Sequence, residues 1–420
     1  MNSLTTRAAE ERHVSANPPS LYERWAKKSV LQLMAKLEYG RIVLQDGDEI
    51  MEFGKDSAVH ATVRVTDPRF YPKILFGGSI GAGEAYIDRM WEVDDLTALV
   101  RIMVLNMALL DRMEQGLAWL LYPARWLRAR FQRNDRAGAK KNILAHYDLG
   151  NEMYKTFLDP TMMYSSARYG NGANDLTDAS LYKLDLICRK LELRPTDRVV
   201  EIGAGWGGFA IHAAGNYGCH VTTTTISDAQ YEEGRERIER AGLTDRITLL
   251  RKDYRELSGT FDKLVSIEMI EAVGHEFLPV FFRKCNELLK PDGRMLLQAI
   301  TIRDQKYSQY RMGVDFIQHH VFPGGALPSN NVMFELITRH SDMVVRHLED
   351  FGFDYARTIH AWRDRFNKAF PTLLRHGYDE RFRRLWNFYL AYCEGGFLER
   401  AISVVHLLAT KPDNRDPICI

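Results

Sequence analysis

The chain has 420 residues, a formal net charge of +1 at pH 7, 45% hydrophobic residues and 26% charged residues. This composition predicts a globular protein with room for two domains, and the balanced charge excludes a global attraction to nucleic acid. The five cysteines are dispersed and form no C-x-x-C pair, which argues against a disulfide framework or a zinc site and favours a reducing cytoplasm. No apolar run approaches the roughly 18 residues of a membrane span, so we expect any membrane contact to be peripheral.

The sequence pattern of residues 1–115 predicts a small α+β domain. Apolar spacing indicates a helix over 21–37, and a hairpin is expected over 40–54 with its turn at Asp46-Gly47. Alternation over 59–65 predicts a further strand, and 70–110 is expected to mix short helices with a glycine-rich bend. This part of the chain carries no motif with chemistry of its own.

The composition changes over residues 116–141, where aromatic and basic residues are interleaved. Residues 125–141 include seven basic residues and one acidic residue, Asp135. The basic residues are Arg125, Arg128, Arg130, Arg133, Arg136, Lys140 and Lys141. One interpretation is an interfacial helix, in which each base near an anionic bilayer contributes about 1 kcal/mol. The other is a solvated linker whose aromatic rings pack on either domain. Both interpretations stay open at this point.

From residue 142 onwards, helices and strands are expected to alternate. The predicted strands are 199–202, 220–226, 246–250, 262–267 and 294–300. Such alternation predicts an α/β fold with a doubly wound, mostly parallel sheet and a ligand at the carboxyl ends of its strands. Residues 301–400 are expected to form a helical lid, and 402–408 an edge strand that closes the sheet.

A glycine-rich turn follows the first of these strands. Gly203, Gly205, Gly207 and Gly208 let the backbone turn tightly and pass close to a ligand. The spacing is G-x-G-x-G and differs from the G-x-G-x-x-G that seats a pyrophosphate. It is typical of proteins that bind S-adenosylmethionine, although the turn alone is a weak signal.

Seven motifs that follow one another along the chain carry a more specific signal. They are His146–Asn151, Leu158–Ser166, Glu201–Gly208, Thr225–Gln230, Asp253–Glu256, Met269–Gly274 and Val321–Gly325. Together they resemble the cyclopropane fatty acid synthase family of S-adenosylmethionine-dependent methyltransferases, to which the mycolic acid cyclopropane synthases belong. The resemblance covers about residues 140–410, and Ser79–Trp91 extends it to the N-terminal domain of longer bacterial members.

The resemblance implies a Rossmann-like class I methyltransferase fold with helical lid insertions and S-adenosylmethionine as the cofactor. Nine residues match positions that contact the cofactor in the family. Tyr164 and Ser165 match contacts to its methionine end, and Gly203 and Gly205 match the backbone beneath it. Thr225 and Gln230 match contacts around the ribose and amino acid, Asp253 and Tyr254 match the adenine edge, and Ile267 matches a wall residue. The second strand ends in threonine where many methyltransferases have an acid. We expect Gln230 to take over that contact.

The implied reaction is methyl transfer to the cis double bond of an unsaturated phospholipid acyl chain. It passes through a carbocation that water would trap, so the pocket must be dry and apolar. Aromatic faces stabilise such a cation by about 2 kcal/mol each when they are desolvated. The candidate rings are Phe316, Phe322, Trp362, Phe366, Tyr389 and Phe397.

In the family, a bound bicarbonate is thought to remove the proton, held by a glutamate, a tyrosine, a histidine and main-chain groups near two cysteines. Glu271, Tyr355 and Cys393 match three of these catalytic positions. Ser166 replaces the other cysteine and Gln298 replaces the histidine; both can hydrogen-bond an anion, but neither carries a proton as imidazole does. The neighbouring Glu268 could be confused with Glu271, and the motif Met269–Gly274 selects Glu271.

Several alternatives remain beside cyclopropane formation, which we favour. A hydride shift before proton loss would give a methylene or methyl-branched chain. The changes at Ser166 and Gln298 also allow a lipid-binding protein that has lost turnover, and plant N-methyltransferases of small amines share the fold pattern. The resemblance further implies a cytoplasmic, peripherally membrane-associated protein, with a homodimer as an open possibility.

Overall fold

The computed structural model describes residues 19–110, 150–170 and 172–417. The basic and aromatic segment 116–141 lies outside these residues, so both interpretations of it stay predictions. None of the helices described is long and apolar enough to cross a bilayer.

The first sheet belongs to the N-terminal unit, residues 19–110. Its strands are β1 (Arg41–Asp46), β2 (Glu49–Gly54), β3 (His60–Val65) and β4 (Trp91–Val93), in the order β2-β1-β3-β4. β1 and β2 are antiparallel and joined by a turn in which Gly47 has φ +61°, so the predicted hairpin is confirmed. β3 pairs parallel to β1, which also confirms the strand predicted over 59–65.

Three helices cover this sheet: α1 (Leu21–Met34), α2 (Phe70–Ile87) and α3 (Leu96–Leu105). Ser20 begins α1 with a capping box, because its hydroxyl accepts from the Glu23 N–H while the Glu23 carboxylate accepts from the Ser20 N–H. α2 is interrupted at Gly78, whose φ of 54° and ψ of −134° are not helical. This break is the glycine-rich bend expected from the sequence.

The second sheet lies in the C-terminal unit, residues 150–417, and has seven strands within the described residues. They are β5 (Arg198–Ile202), β6 (His220–Thr225), β7 (Ile247–Arg251), β8 (Phe261–Ile267), β9 (Leu289–Ile302), β10 (Val344–Asp350) and β11 (Ile402–Thr410), in the order β10-β11-β9-β8-β5-β6-β7. β5 to β9 pair parallel, and β11 is antiparallel to both of its neighbours. The doubly wound, mostly parallel sheet is therefore confirmed.

The prediction that residues 402–408 form the edge of this sheet is wrong. β11 lies between β9 and β10, and seven of its nine residues are buried. The edge is β10, a strand within the region expected to be helical. Its side chains are exposed or half-buried throughout, as an edge strand allows, so its mixed sequence gave no clear strand signal.

Helices pack on both faces of the sheet and over its carboxyl end. They are α4 (Asn151–Phe157), α5 (Leu176–Leu191), α6 (Gly208–Tyr217), α7 (Asp228–Arg240), α8 (Leu278–Leu288), α9 (Asp304–Tyr310), α10 (Phe316–His320), α11 (Asn330–His340), α12 (Gly352–Arg375) and α13 (Glu380–Leu398). The chain continues from β5 to β6 on one side, whereas β8 lies on the other side of β5. This topological switch opens a crevice at the carboxyl ends of β5 and β8.

The N-terminal unit packs against α13, and the two units share one hydrophobic core. The Thr97 hydroxyl donates to Glu394 Oε2 at 2.9 Å, and Arg384 Nε donates to the Tyr86 carbonyl at 2.6 Å. A Cβ on Gly83 would lie 2.3 Å from the Phe316 ring, so this contact leaves no room for a side chain. The N-terminal unit is thereby held against the helices that cover the crevice.

Alanine substitutions at two glycines of α6, Gly208 and Gly215, test how tightly the start of this helix is packed. A Cβ on Gly208 would lie 2.5 Å from the Thr161 carbonyl oxygen, whereas one on the exposed Gly215 would meet Leu243 at an ordinary 3.7 Å. We expect Gly208→Ala to lower the free energy of unfolding by about 1–3 kcal/mol through overpacking. Gly215→Ala should raise it by about 0.4–1 kcal/mol. Chemical denaturation measures both, and equal effects would contradict the packing described here.

Candidate active site

A cavity of about 820 Å³ opens at the carboxyl ends of β5, β6 and β8. Its floor is the glycine turn, in which Gly203, Gly205 and Gly207 have φ of +100°, +51° and +83°. A Cβ on Gly203 would lie 2.9 Å from Met269, and one on Gly205 would meet nothing within 4 Å. The turn therefore exposes bare backbone to the cavity, as close approach of a ligand requires.

All nine residues predicted to bind the cofactor line this one cavity. They are Tyr164, Ser165, Gly203, Gly205, Thr225, Gln230, Asp253, Tyr254 and Ile267. They come from five separate stretches of the chain, and the parallel sheet brings them together because its strands end at the same edge. The assignment of each to a particular part of the cofactor stays a prediction.

Hydrogen bonds fix the polar side chains of this wall. The Thr225 hydroxyl donates to Gln230 Oε1 at 2.9 Å and accepts from the Ser227 N–H at 3.2 Å, and Ser227 is the N-cap of α7. The Asp253 carboxylate accepts from Arg255 Nε at 2.8 Å and from Nη2 at 2.6 Å, so much of its acceptor capacity is engaged within the protein.

Two of the cavity residues carry buried oxygens without a hydrogen-bond partner in the described chain. They are the hydroxyl of Tyr254 and Oε2 of Glu271. Burial raises the pKa of Tyr254, which keeps its hydroxyl protonated and able to donate. Buried polar atoms are rarely left unpaired in native proteins, so both atoms indicate positions that a bound molecule would satisfy.

The sequence analysis missed Lys183, which is fully buried on α5. Its ammonium donates to the Ser165 hydroxyl at 2.7 Å. Burial lowers the pKa of Lys183 to about 8, while the carboxylates of Glu268, Asp159 and Glu201 oppose this shift. A lysine on the apolar face of an amphipathic helix was the available signal, and its place beside these acids is visible only in the folded chain.

Three of the predicted catalytic residues converge on a single carboxylate, that of Glu268. Tyr355 Oη donates to Glu268 Oε2 at 2.8 Å, and Gln298 Nε2 donates to Oε1 at 2.7 Å. The Ser166 N–H also donates to Oε1, at 2.9 Å. The sequence analysis had set Glu268 aside in favour of Glu271, so the centre of this cluster was missed.

A buried network behind Gln298 sets the orientation of its amide. His406 Nε2 lies 2.9 Å from Gln298 Oε1, and Lys190 Nζ lies 3.1 Å from His406 Nδ1. Burial and the nearby cations hold the pKa of His406 far below its ordinary value, so the ring is neutral. Because the Lys190 ammonium can only donate, His406 carries its hydrogen on Nε2 and donates to Gln298. The amide nitrogen is thereby directed at Glu268.

Glu271 lies in the same cavity with different partners. Its Oε1 accepts from the Ile300 N–H at 2.6 Å. Burial, followed by the nearby charge of Glu268, raises the pKa of Glu271 to about 8, so this group is largely protonated at neutral pH. Cys393 also lines the cavity, and burial raises the pKa of its thiol. The catalytic roles of Glu271 and Cys393 stay predictions.

The expected bicarbonate does not fit this arrangement. Three of the groups that the resemblance implies for it are the Tyr355 hydroxyl, the side chain at position 298 and the main chain at Ser166. In the structure all three donate to the carboxylate of Glu268. A second anion would have to displace that carboxylate and would meet its negative charge.

The candidate aromatic residues divide into two groups. Phe322, Tyr389 and Phe397 line the cavity. The others, Phe316, Trp362 and Phe366, are fully buried core residues outside the cavity wall. Only the first group is placed to face a bound substrate.

The cavity continues into the N-terminal unit, where its wall is apolar. The lining there includes Leu44, Val63, Trp91, Leu99 and Met103. Both units therefore contribute to one chamber, polar at the glycine turn and hydrocarbon-like at its far end. Such a chamber suits a ligand with a polar part and a long apolar part.

Comparisons with known proteins agree with this geometry. The family model described as mycolic acid cyclopropane synthetase matches residues 134–407. The chain is 38% identical to the cyclopropane-fatty-acyl-phospholipid synthase of Escherichia coli K12, over 82% of this chain and 86% of that protein. It is 34% identical to the tuberculostearic acid methyltransferase UfaA1 of Mycobacterium tuberculosis, over 76% of each.

A similar solved structure is that of the mycolic acid cyclopropane synthase CmaA1 complexed with SAH and CTAB. It shares 27% sequence identity with this chain and gives a TM-score of 0.61. The match covers 65% of this chain and 98% of that one.

The Thr225–Gln230 pair offers a test of the cofactor wall. Thr225→Val keeps the volume but removes the hydroxyl that orients Gln230, and a neutral hydrogen bond contributes about 1 kcal/mol. We therefore expect the affinity for S-adenosylhomocysteine, measured by calorimetry, to fall about fivefold. Thr222→Val, on the same strand but outside the cavity wall, should leave the affinity unchanged. Equal losses in both variants would show that the wall is wrongly assigned.

Proposed function

This chain belongs to the mycolic acid cyclopropane synthetase family of S-adenosylmethionine-dependent methyltransferases, and we propose that its substrate is an unsaturated acyl chain of a membrane phospholipid. The product is a cyclopropane ring at the former cis double bond. One observation carries the proposal: a glycine-floored cradle and an apolar chamber form a single cavity, and Glu268 and Glu271 lie within it.

The cradle accounts for cofactor binding. When bound, S-adenosylmethionine supplies an electrophilic methyl group. Gly203 and Gly205 provide open backbone beneath it, and the Thr225–Gln230 pair presents an amide of fixed orientation. The unpaired hydroxyl of Tyr254 supplies a further donor at the wall assigned to the adenine.

The apolar chamber accounts for the second substrate. Its walls are mostly apolar and therefore disfavour water, which would trap the carbocation that methyl addition creates. Phe322, Tyr389 and Phe397 line the chamber, and each desolvated aromatic face stabilises a cation by about 2 kcal/mol. Tyr389 is held in place because its hydroxyl pairs with that of Tyr164 at 2.9 Å.

The N-terminal unit has a role in this proposal. We assign residues 1–115 to a domain that completes the acyl-chain chamber, 116–141 to a linker and 142–420 to the methyltransferase domain. The chamber walls from Leu44 to Met103 support this assignment, because they lie beyond the matched family region. The distal part of the acyl chain would be buried there.

An exposed patch at the start of α1 is our candidate for membrane contact. Tyr22 and Trp25 are 54% and 52% exposed, and both rings stack on Phe76, with centroids 6.0 Å and 6.1 Å away. Phe76 lines the cavity, and the exposed bases Arg24 and Lys28 lie on the same helix. Aromatic and basic side chains together suit the interface of an anionic bilayer, and this patch would place the chamber beside its lipid substrate.

Incubation with S-adenosylmethionine and vesicles of a cis-unsaturated phospholipid tests the activity. We expect mass spectrometry to show acyl chains that have gained one CH₂ unit, and NMR to show a cyclopropane ring. A branched chain that has gained CH₂ without a ring would replace cyclopropane formation by the methylene or methyl-branching reaction. Unchanged lipids, with S-adenosylhomocysteine still bound tightly, would favour a protein without turnover.

The α1 patch is tested by the double substitution Tyr22→Ser with Trp25→Ser. We expect sedimentation with anionic vesicles to weaken, because the aromatic anchors are lost, while activity on detergent-solubilised lipid persists. Phe353→Ser is the control, since Phe353 is equally exposed at 53% but does not line the cavity. Undiminished sedimentation of the double variant would rule out this patch as the contact.

A further inference from the structure

We propose that the side-chain carboxylate of Glu268 takes the place of bicarbonate, so that this enzyme carries its own base for ring closure. The inference rests on the proposed function, since it concerns the proton that the reaction must lose. It assigns the base to a residue that the family motif does not select.

Three hydrogen bonds hold the Glu268 carboxylate in the way that a bound bicarbonate would be held. A carboxylate and a bicarbonate share the planar O–C–O⁻ group, and both accept hydrogen bonds in the same way. The Tyr355 hydroxyl, the Gln298 amide and the Ser166 N–H all reach Glu268 at 2.7–2.9 Å. The site thus contains a carboxylate group of the expected shape that is covalently part of the chain.

The backbone at Glu268 supports a functional role. Its φ is +49°, in the left-handed region that glycine adopts easily and that other residues adopt at a cost. The residue directly follows β8, and its N–H donates to the Gln298 carbonyl at 2.8 Å, which holds the turn. Strain of this kind persists at functional sites where the surrounding structure compensates for it.

The electrostatic surroundings suit a base. Burial raises the pKa of Glu268, while Lys183, Gln298, Ser166 and Tyr355 favour its charged form. With Lys183 nearby and three donors on its oxygens, the Glu268 carboxylate is more basic than an exposed one and is placed to accept a proton, as general-base catalysis requires.

The chemical step balances without another reactant. After methyl addition, a C–H bond of the new methyl group breaks. Its electron pair forms the third carbon–carbon bond to the cationic centre and closes the ring. The proton passes to an oxygen of Glu268.

This role also explains the two departures from the family pattern. Gln298 cannot carry a proton, and it does not need to, because its amide donates to a base that is already present. Ser166 acts through its main-chain N–H, while its hydroxyl donates to the Ala167 carbonyl at 2.9 Å. Neither residue requires a histidine or a cysteine side chain for its contact.

Glu268→Gly is the decisive variant. Glycine relieves the left-handed backbone, removes the carboxylate and leaves its three donors in place, so it opens a space of bicarbonate size. We expect wild-type turnover to be unaffected in carbon-dioxide-free buffer. The variant should lose about 100-fold or more in turnover, the contribution of a general base, and recover part of it when bicarbonate is added.

Binding provides a readout independent of turnover. NMR with ¹³C-labelled bicarbonate should detect binding to Glu268→Gly and not to the wild type. Glu271→Gly is the matched control: it removes a carboxylate from the same cavity but not from these donors, so bicarbonate should neither bind there nor restore turnover. Calorimetry with S-adenosylhomocysteine confirms that each variant retains its cradle.

The outcomes distinguish a failure of the Glu268 role from a failure of the proposed function. Bicarbonate binding by the wild type, or loss of its turnover when bicarbonate is removed, would overturn the role of Glu268 and leave the proposed function standing. Absence of methylated lipid with the wild type under all conditions would overturn the proposed function itself. Equal turnover of Glu268→Gly and the wild type without bicarbonate would also exclude Glu268 as the base.

Discussion

A carboxylate stays charged inside a largely apolar cavity only if donors and cations replace the water it has lost. Glu268 satisfies this condition through Tyr355, Gln298 and the Ser166 main chain, with the buried Lys183 as a nearby cation. These contacts connect the end of β8 to the interior of β9, to α12 and to the segment before α5. The arrangement of the site depends on keeping the oxygens of this one buried carboxylate hydrogen-bonded.

The same requirement accounts for the polar groups buried behind the cavity. His406 and Lys190 have no access to a substrate, yet they determine which end of the Gln298 amide meets Glu268. The apolar chamber on the other side of Glu268 has a different role in the proposed reaction, because its lining disfavours water near the carbocation. The Glu268 carboxylate and an apolar wall thus lie in the same cavity, and the proposed ring closure needs both.

Some features of the fold could be predicted because they depend on neighbours in sequence. The glycine turn after β5 and the hairpin of β1 and β2 are local, and both are confirmed. β10 was missed, and β11 was placed at the edge, because an edge strand of mixed polarity resembles a loop or helix and pairing partners are not encoded locally. Glu268 was passed over for a related reason, since a motif ranks residues by spacing and not by the donors that surround them.

The sequence by itself determined the class of fold and the family, and it selected nine residues that line one cavity. Strand alternation and motif spacing are enough for this because they can be recognised without knowing any distance. Tertiary structure alone decided which of two glutamates, three residues apart, receives the hydrogen bonds of Tyr355 and Gln298. It also decided that the N-terminal unit completes the chamber. Both outcomes depend on contacts between segments far apart in the chain, and only folding brings those segments within the short range over which hydrogen bonds and apolar contacts act.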